Sequence, residues 1–176
     1  MKNRQTGIVA LVLLAAFSMS LAQADKNKEI KAQTMTGRAG QSHMIVTANE
    51  IKWGPGPSFL PTGAQMAVLD GDPSKAGRPF TLRLKMPDGY KVPPHWHPVD
   101  ENVTTLEGVI MVGVGEKFDQ AATHEMPVGA YAKMPKGIRH YASARGETTI
   151  QVHGVGPFEI TYVNPADDPR KLTKKQ

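Results

Sequence analysis

The sequence has no cysteine among its 176 residues. Disulfide bonds, a thiolate metal site and a cysteine nucleophile are therefore excluded, and so is a lipoprotein anchor, which needs a cysteine at the start of the mature chain. Aromatic residues make up only 6% of the chain, so the expected core consists mainly of Val, Ile, Leu and Met. About 150 residues can bury enough apolar surface to fold without disulfides.

Long hydrophobic runs are also scarce, and the run that stands out lies near the N-terminus. The apolar segment Gly7–Phe17 follows Lys2 and Arg4 and precedes the small-residue sequence Ala22-Gln23-Ala24. This order is typical of a secretory signal peptide, and the run is shorter than the roughly 20 residues that span a bilayer. We expect residues 1–24 to be a signal peptide that is cleaved after Ala24. The product would be a periplasmic or secreted protein without a membrane anchor; an uncleaved membrane helix is the alternative.

The rest of the chain divides by composition. Residues 25–42 are polar and predict a flexible lead-in, residues 43–165 carry the apolar segments of a single domain, and residues 166–176 form a basic tail. Removal of Lys2 and Arg4 with the leader leaves 19 basic and 16 acidic side chains, a net charge of about +3. A short basic tail is usually solvated, and nucleic acid is not an expected partner of an exported protein.

Glycine and proline punctuate the chain and favour many short strands over a few long helices. Segments rich in β-branched and apolar residues lie between the turn residues. They are His43–Thr47, Ala64–Leu69, Phe80–Met86, Tyr90–His97, Asn102–Val114, Ala130–Met134, Arg139–Ser143, Thr148–Val155 and Phe158–Val163. Within the third segment, polar and apolar side chains alternate with the period of a half-buried strand. The pattern predicts an all-β sandwich or barrel.

Four residues form the candidate site for chemistry. His95 and His97 are two residues apart in a predicted strand, so both imidazoles point to the same face. Glu101 can return to that face around a bend, and His140 begins another predicted strand that a closed barrel can bring close. Imidazole nitrogens with one carboxylate suit a divalent first-row metal, although a His-x-His pair also occurs on exposed strands.

The spacing of these residues resembles that of the cupin superfamily. The first cupin motif, G-x5-H-x-H-x3-E-x6-G, is matched by Gly89, His95, His97, Glu101 and Gly108. The second, G-x5-P-x-G-x2-H-x3-N, is matched by Gly129, Pro135, Gly137 and His140, with Ala144 in place of the final Asn. That Asn is not a metal ligand in the family, so its loss bears on loop geometry. The chain is similar to small exported bacterial cupins and to the metal-binding cupin half of zinc-dependent anti-sigma factors.

The resemblance implies a single cupin-type antiparallel β-barrel, or jelly roll, in which His95, His97, Glu101 and His140 hold one divalent metal. It also implies a small-molecule substrate or ligand and an activity in the oxygenase or lyase range. A non-catalytic module that binds or senses a metal or small ligand is the alternative. The anti-sigma role, which is exercised on a partner helix in the cytoplasm, is disfavoured by the predicted signal peptide. Cupin barrels often pair, so a homodimer is left open.

The predicted export also bears on the metal. A chain exported unfolded takes up its metal outside the cytoplasm, where the affinity order favours Cu²⁺ and Zn²⁺ over Mn²⁺ and Fe²⁺. We therefore expect Zn or Cu in protein isolated from the periplasm, with Mn, Fe or Ni as alternative working metals.

No catalytic group stands out beside the predicted ligands. Gln151 and His153 share one face of a predicted strand, and that face is either the barrel interior or an ordinary polar surface. In the interior they would orient a substrate or a bound water from behind the ligands. His153 and Glu107 are the nearby titratable candidates for proton transfer, and Glu107 is expected to face solvent.

Overall fold

The computed structural model describes residues 43–172, so the predicted signal peptide (1–24) and lead-in (25–42) lie outside the described residues. Within the described part, the chain forms nine β-strands. The strands are β1 (Gly54–Pro55), β2 (Gln65–Gly71), β3 (Pro79–Met86), β4 (Lys91–Trp96), β5 (Glu101–Val114), β6 (His124–Pro127), β7 (Tyr131–Met134), β8 (His140–Val155) and β9 (Thr161–Tyr162). Short 3-10 turns cover Ala48–Glu50, Gln120–Ala122 and Pro165–Asp167, and a four-residue helix, α1, covers Pro169–Leu172.

Two long strands, β5 and β8, organise the sheet. They pair antiparallel along their length, from Asn102 opposite His153 to Val114 opposite His140. On its other edge, β8 pairs with β4 through its first half and with β3 through its second half. Similarly, β5 pairs with β7 near its start and with β6 near its end. Each long strand therefore contributes to two halves of one curled antiparallel sheet, a jelly roll, which confirms the predicted fold class.

The core lies between these two halves. In β3, Phe80, Leu82, Leu84 and Met86 are buried, and the side chains between them are partly exposed. This burial confirms the alternation predicted from the sequence. The four residues belong to the same hydrophobic cluster as Ile110, which lies in the part of β5 that pairs with β6. Apolar side chains of both halves thus pack against one another.

The bend between the halves lies at Gly108. The β5–β8 register shifts on both sides of Glu107. Gly108 has a φ of +67°, and a Cβ at this position would lie 2.3 Å from the carbonyl oxygen of Glu147. Glycine adopts this φ without steric cost and leaves room for the neighbouring backbone, whereas any other residue would do neither. The last glycine of the first motif therefore allows the long strand to change direction.

One predicted strand is wrong. The segment His43–Thr47 forms no strand, and its side chains are exposed. Thr47 instead precedes the 3-10 turn Ala48–Glu50, and its backbone N–H donates a hydrogen bond to the Glu50 carboxylate at 2.9 Å. The β-branched residues of the pattern are present there, but none of the strand pairings formed among residues 43–172 includes this segment.

Two further differences concern strand boundaries. The predicted strands Arg139–Ser143 and Thr148–Val155 are one continuous strand, β8, because Arg145 between them still pairs with Val109. Strand β6 was not predicted, since its four residues, His124–Pro127, contain no β-branched side chain. It forms because β5 offers it an open edge.

The C-terminal part of the described chain contacts the segment that leads into β9. Arg170 in α1 donates a hydrogen bond to the carbonyl oxygen of Ile160 at 3.1 Å and pairs with Asp168 at 2.7 Å. The predicted division between domain and tail at residue 165 stays a prediction. None of the helices formed by residues 43–172 is long and apolar enough to cross a membrane.

Candidate metal centre

The four predicted ligands lie together at strand ends. His95 is near the end of β4, His97 directly follows that strand, Glu101 begins β5 and His140 begins β8. His95 and His140 are partners in the β4–β8 pairing. All four residues are buried, with 3–8% of their surface exposed. Charged and imidazole side chains are rarely buried this completely unless something binds or pairs with them.

Each imidazole is held by a backbone carbonyl through its Nδ1 atom. The Nδ1 of His95 lies 2.7 Å from the Pro93 oxygen, and that of His97 lies 2.6 Å from the Glu159 oxygen. The third Nδ1, of His140, lies 3.1 Å from the oxygen of Ile138. A carbonyl only accepts, so each Nδ1 must carry the proton and donate it. The three Nε2 atoms then keep their lone pairs, which is the tautomer that metal-binding histidines use.

Two of these Nε2 atoms lie close to the carboxylate of Glu101. Its Oε2 lies 3.3 Å from the Nε2 of His140 and 3.5 Å from that of His97. Two ligand atoms about 2.1 Å from one metal are about 3.0–3.4 Å apart for angles between 90° and 109°. One ligand atom from each of His95, His97 and His140 also lies within 4.8 Å of the others. The three histidine ligand atoms are therefore close enough to share a single divalent metal, and the Glu101 carboxylate lies beside two of them.

One atom supports this fit independently. In the part of the chain that the structure describes, the Nε2 of His97 is the buried side-chain polar atom that has no hydrogen-bond partner. An unsatisfied buried polar atom normally carries a free-energy cost of about 1–3 kcal/mol. A metal bound to this lone pair would remove the cost.

The protonation states also suit metal binding. Burial lowers the pKa of His95 to about 3, with a contribution from the neighbouring His140, and burial lowers the pKa of His97. Burial alone would raise the pKa of Glu101, but the neighbouring His97 and His140 outweigh this effect and lower the pKa to about 2. Neutral imidazoles around an ionised carboxylate are the form in which these groups bind a metal.

A cavity of about 170 Å³ opens next to the four side chains. Strands β3, β5 and β8 provide much of its wall, with Leu82, Leu84, Val103, Ile110 and Ile150 among the lining residues. A loop between β1 and β2 adds Pro57, Phe59 and Leu60, and the segment before β9 adds Phe158 and Ile160. The predicted metal site thus forms the polar end of an apolar pocket.

Two aromatic features of the pocket were not predicted from the sequence. Phe158 stacks on the imidazole of His97, with ring centres 4.5 Å apart and an angle of 15° between the planes. Tyr162 donates a hydrogen bond to the carbonyl oxygen of Phe59 at 2.7 Å and so ties the loop to β9. Nothing in the spacing of these residues marks them, because they approach the site from segments far from both motifs.

The alternative that placed Gln151 and His153 in the barrel interior is corrected by the structure. Val152 between them is fully buried, and successive side chains of a strand point to opposite faces. His153 is exposed, and Gln151 is partly buried and accepts a hydrogen bond from Arg83 at 3.3 Å on the outer face. Glu107 is also exposed, as expected. None of the three lines the cavity.

The comparisons with known proteins agree with this fold and site. Residues 82–156 match the model of the cupin domain family, a stretch that contains all four predicted ligands. Over this stretch the sequence is similar to cupin domains, which agrees with the resemblance seen in its motifs. No curated protein matches the sequence.

Several solved structures share the fold at low sequence identity. The polyketide cyclase RemF from Streptomyces resistomycificus is 20% identical, with a TM-score of 0.56 over 76% of this chain and 94% of that one. A candidate acetylacetone dioxygenase from Methylibium petroleiphilum PM1 is 18% identical, with a TM-score of 0.56 over 76% and 90%. An RmlC-like cupin from Shewanella frigidimarina is 13% identical, with a TM-score of 0.51 over 65% and 92%. At this level of identity, the similarities show a shared fold.

Proposed function

We propose that this protein is an exported, mononuclear metal-dependent cupin enzyme that acts on a small oxygen-bearing molecule by oxygenase or lyase chemistry. The observation that carries the proposal is a cluster of three buried imidazoles, two of which lie beside the carboxylate of Glu101. Their Nδ1 atoms donate to backbone carbonyls at 2.6–3.1 Å, which leaves the Nε2 lone pairs free to bind a metal. The names of two structures of like fold, a polyketide cyclase and a candidate acetylacetone dioxygenase, also refer to oxygenated carbon compounds.

The proposed roles of the residues follow from their positions. His95, His97, Glu101 and His140 would hold the metal. A divalent metal there would supply a Lewis acid that polarises a substrate oxygen. Phe158 packs against His97 and keeps that imidazole in place. The apolar walls exclude water from the reacting centre and strengthen electrostatic interactions within it.

For the metal, we propose Zn or Cu in protein taken from the periplasm. A chain that crosses the membrane unfolded meets its metal afterwards, and imidazole-rich sites favour Cu²⁺ and Zn²⁺ in the affinity order. Mn, Fe or Ni stay alternatives for the working metal. Stoichiometric Mn or Fe in protein isolated from that compartment would contradict the proposal.

A second candidate is a non-catalytic module that binds a metal or a small ligand. One observation favours it: among residues 43–172, the titratable side chains that line the cavity are the four proposed ligands themselves. Proton transfer by a separate side chain, as in general acid–base catalysis, then has no evident donor or acceptor. The lack of such a group does not argue against reactions that need no separate acid or base.

Turnover separates the two candidates. The metal-loaded mature chain would be incubated with a panel of small enols, phenols, diketones and hydroxy acids, with and without dioxygen, while product and oxygen uptake are recorded. The enzyme proposal predicts turnover of at least one compound, abolished in His140→Ala and retained in His124→Ala, whose side chain is exposed. Tight binding of a panel member without any turnover would support the binding module instead.

A further inference from the structure

The polar groups of the cavity are confined to one end. Among the described residues, every lining side chain is apolar except the four proposed ligands and Ser74. Ser74 is exposed, and its hydroxyl already donates a hydrogen bond to Asp72 at 2.7 Å. The interior beyond the proposed metal therefore offers a ligand no side-chain hydrogen bond.

The cavity also lacks a positive charge. No Lys or Arg belongs to the lining formed by residues 43–172, and the one carboxylate, Glu101, is among the proposed ligands. A carboxylate, phosphate or row of hydroxyls on the far part of a substrate would lose its hydration without gaining a partner. Burying an isolated charge or an unsatisfied hydroxyl in such surroundings is strongly unfavourable.

The volume limits the size of the occupant. The cavity measures about 170 Å³. A cavity of about 150 Å³ lined by Leu, Ile and Phe accepts one benzene ring. The space next to the four side chains therefore fits a molecule of about one ring with small substituents, while a sugar phosphate or a multi-ring compound would have to extend through the mouth.

Resting on the proposed function, we infer that the substrate class is a compact, uncharged, largely apolar molecule that presents its oxygen atoms at one end only. The oxygen end binds next to His95, His97, Glu101 and His140, and the hydrocarbon end fills the pocket formed by side chains such as Leu84 and Ile150. Specificity then comes from rejection of polar groups at the far end as much as from recognition of the head group.

A matched pair of probes tests this inference. The compounds 4-isopropylcatechol and 3,4-dihydroxybenzoate carry the same pair of hydroxyls and differ in one substituent of similar shape, apolar in the first and anionic in the second. Each is titrated into the Co²⁺-loaded mature chain, and binding is followed by the change in the visible absorption of Co²⁺. Free Co²⁺ in buffer is titrated in parallel to correct for the intrinsic affinity of each catechol.

We expect the isopropyl compound to bind at least 100-fold more tightly than the carboxylate compound after this correction. Leu60 lines the mouth and is only partly buried, so Leu60→Arg can supply a counter-ion from a loop. In Leu60→Arg the preference for the isopropyl compound should shrink at least tenfold. Ser74→Ala, at the exposed rim, should leave it unchanged.

The outcomes separate this inference from the proposed function. Equal corrected affinities of the two probes for the wild type, or binding of neither by a chain that holds Co²⁺, would overturn the substrate class and leave the metal site standing. A wild-type chain that takes up no Co²⁺ would overturn the proposed function and the inference with it. If Leu60→Arg does not fold, the comparison of the two probes on the wild type still tests the substrate class.

Discussion

The Nε2 of His140 lies 3.3 Å from the Oε2 of Glu101, although the two residues belong to opposite ends of the β5–β8 pairing. Glu101 begins β5, whereas His140 pairs with Val114 at the other end of that strand. A straight strand of 14 residues would hold these ends about 45 Å apart. The side chains meet because the sheet folds back at the bend around Gly108. The candidate metal centre is therefore a consequence of that bend.

Replacement of the glycine at the bend should damage both fold and site. Gly108→Ala places a Cβ 2.3 Å from the Glu147 carbonyl oxygen at a φ of +67°. We expect a loss of about 3 kcal/mol or more in the free energy of unfolding, from backbone strain and steric overlap together. Urea denaturation measures it, and Zn²⁺ affinity should fall as well.

Gly77 offers a matched control for this substitution. Its φ of +70° is nearly the same, but a Cβ there would meet no atom within 4 Å. Gly77→Ala should therefore cost only the backbone strain, about 1 kcal/mol. Equal losses in the two variants would show that steric overlap with Glu147 adds nothing to the cost of a Cβ at Gly108.

The metal-free protein should lose stability as the pH falls below about 6.5. In the folded state burial lowers the pKa of His95 to about 3, so between these values the unfolded chain takes up a proton that the folded chain does not. The free energy of unfolding then falls with decreasing pH, by up to about 1.4 kcal/mol per pH unit for one such group. The pKa of Glu101 is lowered from 4.5 to about 2, so this carboxyl adds a further loss of stability as the pH falls below about 4.5.

Urea denaturation of the chelator-treated protein between pH 7.5 and 5 measures this slope. His95→Ala should reduce it, since the buried imidazole is gone, while His124→Ala, at an exposed position, should not change it. A wild-type free energy of unfolding that stays constant over this range would contradict the account of neutral, buried imidazoles.

The loop at the mouth of the cavity should loosen when its link to β9 is removed. The hydroxyl of Tyr162 donates to the carbonyl oxygen of Phe59 at 2.7 Å, and Tyr162→Phe removes that bond. We expect a loss of about 1 kcal/mol in stability and faster hydrogen exchange of the Leu60 amide, which bonds to the Pro57 oxygen in the same loop.

Tyr141→Phe is the control for the loop. This hydroxyl also donates to a backbone carbonyl, that of Asp119 at 3.0 Å, but far from the loop in sequence. Its removal should cost a similar free energy and leave the exchange of the Leu60 amide unchanged. Accelerated exchange in both variants would mean that the loop responds to general destabilisation.

Much of the fold was predictable because its signals are local. The alternation in β3 follows from the period-two pattern of residues 81–86, and it reports directly which side chains are buried. The segment at His43–Thr47 carries a similar local signal and yet forms no strand. Strand formation needs a partner edge as well as suitable residues, and the partner is decided by the rest of the chain.

The candidate site, too, could be predicted from the sequence only in part. The residues His95, His97, Glu101 and His140 could be picked out because the motif spacing fixes them, and the structure brings them together; as metal ligands they stay a prediction. The side of β8 on which Gln151 and His153 lie could not be read from the sequence. A strand that alternates polar and apolar residues shows two faces, and only packing tells which one is interior.

Metal binding by the mature chain is the most direct test of the account. Protein isolated from the periplasm, the predicted compartment, is analysed for metal content. Zn²⁺ affinity is then measured by competition with a chelator for the wild type, His140→Ala and the exposed control His124→Ala. We predict one Zn or Cu per wild-type chain, an affinity at least 100-fold lower in His140→Ala, and no change in His124→Ala. A wild type that binds no metal, or a His140→Ala chain that binds it as tightly, would contradict the account.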